Sequence, residues 1–250
     1  MRTIVALILA VAVLAPALKG RALAQSEQVV ARAKPAVVLV EVVLSTGSKA
    51  LGSGVVFDAS GYILTNHHVV EGASEVSVTL SNGRSYPATV VDFERVERAG
   101  VPRVDAAVLK IAASGLATLP LRSNTPVRDG QEVLVLGYPG GIETDRMSIT
   151  RGIVSAVRDG WIETDALIVP GNSGGPMIDA AGNVIGLATF ITGYDHRFGG
   201  ATWLEDAVEL AARAVAPAGA RSRAISVPGI EYFMPRDLTS SGYAGLLRKN

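Results

Sequence analysis

The sequence predicts an all-β fold of two units of similar size, joined by a connector and closed by one C-terminal helix. From Pro35 onward, short β-branched runs alternate with turn residues at regular intervals, and no long amphipathic helix interrupts them. That combination is the signature of a barrel or a sandwich. At 250 residues, the chain is long enough to bury a full core, yet within the range where all-β domains run as one unit.

The first unit is read from the runs Val37 to Leu44, Gly54 to Phe57, Tyr62 to Thr65, Glu75 to Leu80, Tyr86 to Asp92 and Ala106 to Ile111. Turns at Asp58-Ala59-Ser60-Gly61 and Ser81-Asn82-Gly83 separate several of them. After a connector over Ser114 to Pro126, the second unit follows as Glu132 to Gly137, Ser148 to Val157, Trp161 to Thr164, Pro176 to Asp179 and Val184 to Ile191. Thr202-Trp203-Leu204-Glu205 reads as a capping box, with Leu204, Val208, Ala211 and Val215 at helical spacing, so a helix is expected over about 203–215. Residues 216–250 form a tail that begins with a Pro/Gly/Ala linker and is too short for a further folded domain.

The N-terminus carries an address. Arg2, an apolar run from Ile4 to Leu18 and the small-x-small site Ala22-Leu23-Ala24 read as a secretory signal over residues 1–24, cleaved before Gln25. The alternative is a membrane anchor, but the run falls short of the ~20 residues a spanning helix needs. Removal takes away Arg2, Lys19 and Arg21 and no acid, so the remaining chain is slightly acidic. No basic stripe with interleaved aromatics points to nucleic acid, and no membrane contact is expected after cleavage. Cysteine is absent, so the domain relies on its core rather than on disulfides, which suits a bacterial periplasmic or secreted protein.

Gly171-Asn172-Ser173-Gly174-Gly175-Pro176 places one serine among residues that let the backbone take φ > 0 and aim N–H groups at a reacting oxygen. A serine nucleophile needs a general base and an acid that orients that base. His68, in Thr65-Asn66-His67-His68-Val69-Val70, and Asp105, ahead of the apolar Ala106-Ala107-Val108-Leu109, supply the two residue types. The hairpin around Gly52-Ser53-Gly54 and Gly61 to Thr65 delivers the histidine from a strand end into a turn. A lone histidine is more often structural, and a lone aspartate more often solvated; the three together in one chain shift that balance. A zinc site at His67, His68 and Glu71 is disfavoured because the spacing is not His-Glu-x-x-His, and no further ligand is evident. No metal or other cofactor is expected.

These blocks, with Thr164-Asp165-Ala166, Gly52 to Phe57, Gly137-Tyr138-Pro139-Gly140-Gly141 and Gly152 to Ala156, resemble trypsin-like serine proteases. The similarity is strongest to the bacterial Do-type, high-temperature-requirement (HtrA-like) branch, and it covers about residues 35–192. It implies two six-stranded antiparallel β-barrels, about 35–113 and 127–200, within a protease domain over 25–215. It also implies His68 as general base, Asp105 as orienting acid and Ser173 as nucleophile. The backbone of Gly171 and Ser173, with Asn172 between them, would form the oxyanion hole. Leu167 would line the floor of the primary pocket, favouring a small or medium apolar residue there, and Thr189-Phe190-Ile191 would pair with an extended substrate.

The expected activity is that of an exported serine endopeptidase acting on proteins or peptides through an acyl-enzyme. The competing expectation is a catalytically silent peptide-binding or chaperone-like module on the same fold. The segment Gly193 to Gly200 departs from the family's pattern. The C-terminal peptide-binding (PDZ) domain of many members is not expected, and the short segment after Gln25 gives no support for the trimers common in that branch.

Overall fold

The computed structural model describes residues 26–98, 101–122, 126–140, 146–158, 160–192 and 198–216. The expected signal at 1–24 and the tail beyond Ala216 lie outside the described residues, as does Gly141.

Barrel one contains β1 (Val37–Leu44), β2 (Lys49–Asp58), β3 (Tyr62–Thr65), β4 (Ala73–Thr79), β5 (Ser85–Arg98) and β6 (Val101–Ile111), closed in the order β1-β2-β3-β6-β5-β4. Barrel two contains β7 (Glu132–Gly137), β8 (Ser148–Arg158), β9 (Trp161–Thr164), β10 (Pro176–Ile178), β11 (Val184–Thr192) and β12 (Phe198–Trp203). Its ring, β7-β8-β9-β12-β11-β10, repeats the winding of barrel one strand for strand. The expected pair of six-stranded antiparallel barrels is therefore present. β12 is the strand the sequence pattern hid. Two glycines interrupt its apolar alternation, and the first is needed there, because a Cβ on Gly199 would lie 2.6 Å from Ile168 Cδ1.

The connector stitches the barrels together. Leu119 donates its N–H to Val56 O of barrel one at 3.0 Å, and Arg122 donates to Val184 O of barrel two at 3.1 Å. One buried cluster holds Val38, Ile63, Leu64 and Leu109 of barrel one with Leu136, Ile178 and Leu187 of barrel two, so the apolar core runs through the seam. A second cluster, including Val135, Val154, Ile162 and Met177, fills barrel two.

Among the described residues, two α-helices of two turns or more flank the barrels, and a single helical turn, α2 (His67–Val70), lies between β3 and β4. An N-terminal helix α1 covers residues 26–33 and buries Val29 and Ala33, one turn apart; the sequence reading assigned nothing there. The C-terminal helix α3 (Leu204–Val215) follows β12 and buries Leu204, Ala207, Leu210, Ala211 and Ala214. Its expected capping box does not form. Trp203 occupies the N-cap without a side-chain cap, because Thr202 is still paired in β12, opposite Leu187 and Trp161. Val215, expected on the buried stripe, is exposed, and Leu210 and Ala214 take that role. Arg213 of α3 reaches back to barrel one, with Nε 3.0 Å from Asp92 Oδ2.

Candidate active site

The site is built where β3 ends. Asn66, in extended backbone (φ −78, ψ 149), occupies the N-cap position of α2 without a side-chain bond to it, and this turn carries His68 while burying Val69 and Val70 against barrel one. Asp105 lies within β6, between the buried Val104 and Ala106, and is itself only 2% exposed. Its two carboxylate oxygens hold one residue. Oδ2 is 2.5 Å from His68 Nδ1, and Oδ1 accepts the His68 backbone N–H at 2.9 Å. Asn66 Nδ2 donates to the Asp105 carbonyl at 2.6 Å and to Thr189 Oγ1 of barrel two at 3.1 Å. With Nδ1–H donated to the carboxylate, a neutral imidazole keeps its lone pair on Nε2.

Burial pushes the Asp105 carboxyl upward, but the His68 ring hydrogen bond and charge, the His68 backbone N–H and the Arg95 charge together outweigh it. The net result is a carboxyl held below the ordinary aspartate value. Arg95 is the Cα partner of Asp105 across the β5–β6 ladder, and its guanidinium pairs with Glu71 at the end of the histidine turn. Two residues earlier on β5, Phe93 stacks on His67 with ring centroids 4.6 Å apart. The turn is thus gripped from β5 on both sides of His68.

The serine loop lies against that turn. Gly171 and Gly174 take φ of +97° and +82°, and neither has room for a side chain. A Cβ on Gly174 would lie 2.2 Å from Thr65 Oγ1, and one on Gly171 would lie 2.3 Å from Gly140 N. Position 52 is squeezed between Val69 and Ser173: a Cβ there would be 2.5 Å from Val69 Cγ1 and 3.2 Å from Ser173 O. The backbone of the candidate nucleophile and the histidine turn therefore share a wall with no space for one methyl group. No hydrogen bond joins the Ser173 hydroxyl to His68 among the described residues; such bonds are often long before substrate arrives.

Among the described residues, the N–H groups of Gly171 and Ser173 donate to no carbonyl, whereas the N–H of Asn172 donates to Val169 O at 3.0 Å. The Asn172 side chain is buried, with its Oδ1 3.1 Å from where a Cβ on Gly137 would stand, so it faces the seam between the barrels. Thr189 is also buried, its hydroxyl donating to Leu187 O at 2.7 Å and accepting from Asn66. It forms a bulge between Ala188 and Phe190, whose pairing with β12 continues to Thr192. On the opposite edge, β10 pairs with β11 only from Val184 to Leu187, so residues 189–192 have no strand beside them there among the described residues. Leu167 is 58% exposed, and it is the adjacent Ile168, at 4%, that packs against Gly199. Of Gly193 to Gly200, residues 193–197 lie outside the described residues.

Sequence reasoning missed Ser53, Asn66, Phe93 and Arg95 as parts of the site. None of them carries a role that spacing in the sequence reveals, because each acts through partners distant along the chain.

The trypsin-like peptidase domain family matches residues 52–187. The chain is 42% identical over 147 residues to a probable periplasmic serine endoprotease, DegP-like, of Halomonas elongata, covering 56% of this chain and 29% of that protein. It is 37% identical over 153 residues to the serine endoprotease DegS of Haemophilus influenzae, covering 57% of this chain and 42% of that protein. The chain thus spans less than half the length of these relatives. A serine endoprotease structure from Yersinia pestis superposes with a TM-score of 0.65 at 34% identity, covering 76% of this chain and 66% of that one. A structure of an HtrA-type protease, AlgW with tripeptide, superposes with a TM-score of 0.63 at 36% identity, covering 74% of this chain and 61% of that one. With the Asp105–His68 contact, the serine loop and most strands of both barrels inside the matched region, the chain belongs to the family of trypsin-like peptidase domains.

Proposed function

We propose that this chain is an exported serine endopeptidase that cleaves proteins or peptides through a His68-Asp105-Ser173 triad. The observation that carries this reading is the double grip of Asp105 on His68, beside a loop whose Gly171 and Ser173 N–H groups are free. Ser173 Oγ attacks the scissile carbonyl while His68 Nε2 takes its proton, and the carbonyl oxygen becomes an oxyanion held by those two N–H groups. Each such donor is typically worth ~3 kcal/mol of transition-state stabilisation. Collapse of the tetrahedral intermediate breaks the C–N bond, and the departing amine receives the proton from Nε2. Water then repeats the sequence on the ester and frees Ser173.

The edge of β11 without a strand neighbour supports an extended substrate docking beside Thr189, Phe190 and Ile191 by β-augmentation. Thr189 takes part through its backbone, since its side chain is committed to the buried network. Leu167 and Ile168 give that end of the loop an apolar character, which suits a small or medium apolar residue at the cleaved position and leaves Lys or Arg unpaired. Export is supported by the N-terminal pattern and by the relative named as periplasmic.

A second reading, a peptide-binding module with a silent site, is favoured by one observation: the Ser173 hydroxyl is not bonded to His68. Labelling with a fluorophosphonate separates the two, because the reagent needs an activated serine. We expect labelling of the native protein that disappears in Ser173→Ala and in His68→Ala. Folded protein that binds unfolded peptides but stays unlabelled would establish the silent module instead.

A further inference from the structure

Ser53 of β2 is fully buried at the seam, and every polar atom of its backbone and side chain is used. Its Oγ donates to Gly171 O at 2.7 Å and accepts the Tyr138 N–H at 2.8 Å. Its N–H donates to Ser173 O at 2.7 Å, and its carbonyl accepts Thr65 Oγ1 at 2.7 Å. One residue of barrel one thus binds the serine loop of barrel two at two carbonyls, and the segment after β7 at one N–H.

The pattern along the loop gives these bonds a purpose. The peptides Gly171–Asn172 and Ser173–Gly174 are held at both ends: Ser53 takes each carbonyl, while the Asn172 N–H goes to Val169 O and the Gly174 N–H to Ala188 O. The alternating peptides, Pro170–Gly171 and Asn172–Ser173, are held only by their carbonyls, to Gly140 N and Gly175 N. Their N–H groups, those of Gly171 and Ser173, are the free ones. A trans peptide is planar, with its N–H and C=O pointing in opposite directions, so fixing the carbonyl fixes the line along which the N–H points. The flanking peptides that set the remaining rotation are the two that Ser53 clamps.

We propose that Ser53 is a positioning residue for the oxyanion site, in which its hydroxyl and N–H clamp the carbonyls of Gly171 and Ser173 and so aim the N–H groups of the peptide that precedes each clamped one. The inference rests on the acyl-transfer reading above. It makes readiness of the oxyanion site depend on the docking of barrel one, because the clamp comes from β2 and the donors from barrel two. The pocket around the hydroxyl suits serine in particular: a Cβ on Gly137 would stand 2.9 Å from Ser53 Oγ, and one on Gly175 would stand 3.2 Å from Ser53 Cβ.

The test uses the full chain with Ser53→Ala, which removes the Oγ bonds and keeps the N–H bond, and Ser53→Cys, which substitutes a weak thiol donor of similar shape. The readout is the second-order rate of fluorophosphonate labelling at Ser173, taken per folded molecule well below each variant's melting temperature and across pH. We expect the Ala variant to label at least about tenfold more slowly, since removing a whole oxyanion donor costs ~10²–10³ in rate. The pH midpoint should be unchanged, because His68 and Asp105 are untouched, and the Cys variant should fall between Ala and wild type. If Ala does not fold, the Cys variant alone carries the comparison. A variant that melts earlier yet labels at the wild-type rate would overturn the inference and leave Ser53 as barrel cement. A wild type that does not label at all would overturn the acyl-transfer reading itself, and this inference with it.

Discussion

Asp105 binds His68 twice, with Oδ2 2.5 Å from the ring Nδ1 and Oδ1 accepting the backbone N–H at 2.9 Å. The carboxylate therefore fixes both the tautomer of the ring and the position of the turn that carries it. Asp105→Asn keeps the shape but can offer Nδ1 an N–H in place of an oxygen, which forces the proton to Nε2 and blocks it as a base. We expect kcat on a peptide substrate to fall by ~10⁴, the loss typical of such a change, with KM altered far less. A fall of under tenfold, measured at neutral pH on folded protein, would remove Asp105 from the catalytic assembly.

The same pair gives an acid limb to the stability. Because the Asp105 carboxyl sits below its ordinary value in the folded chain, the unfolded state binds this proton more readily, and stability drops as pH drops. The contribution is fully present above the unfolded carboxyl value of ~3.9 and is lost as pH falls through the lower, folded-state value. Urea midpoints between pH 6 and pH 3 should thus decline less steeply in Asp105→Asn than in wild type. Parallel curves would show that the pair adds nothing to acid sensitivity.

Two glycines with similar φ should respond very differently to alanine. Gly72, at φ +71°, has nothing within 4 Å of an added Cβ, so Gly72→Ala pays only the ~1–2 kcal/mol of left-handed strain. Gly174, at φ +82°, would press its Cβ to 2.3 Å from Ser53 O and 2.9 Å from Asn66 N, both backbone atoms. Overpacking adds a further ~1–3 kcal/mol and displaces the serine loop. Chemical denaturation should therefore rank Gly174→Ala below Gly72→Ala, and only the former should lose fluorophosphonate labelling. Equal stabilities would mean that the loop is looser than its contacts imply.

The contrast explains what could be read in the sequence. β1, β3, β7 and β9 begin and end where the apolar runs and turn residues indicate, because each is a short, mostly apolar run that stops where the chain turns. β5 runs on to Arg98 and β6 starts at Val101, further than expected, since Glu94, Arg95, Glu97 and Arg98 mask a strand that sends Phe93 and Arg95 to the histidine turn and Asp92 and Glu94 toward Arg213. The candidates His68, Asp105 and Ser173 stand in short motifs and can be proposed without coordinates. Ser53 cannot, because its meaning lies in a carbonyl 118 positions away.

Asn66 shows the same dependence on distant partners. Its Nδ2 bridges the Asp105 carbonyl at 2.6 Å and Thr189 Oγ1 at 3.1 Å, joining the acid, the histidine turn and barrel two through one buried amide. Asn66→Ala leaves the Asp105 carbonyl without this donor inside the protein, which costs ~1–3 kcal/mol. Asn66→Asp should be worse, although it is closer in shape: an ionised carboxylate cannot donate, so it would face the Asp105 carbonyl oxygen with another oxygen and add a negative charge near the Asp105 carboxylate. We expect labelling of Ser173 to slow in the order wild type, Asn66→Ala, Asn66→Asp, with melting temperature falling in the same order. If Asn66→Asp proved the more stable of the two, the bridging donor would not be what holds this turn, and the grip of Phe93 and Arg95 from β5 would have to be sufficient without it.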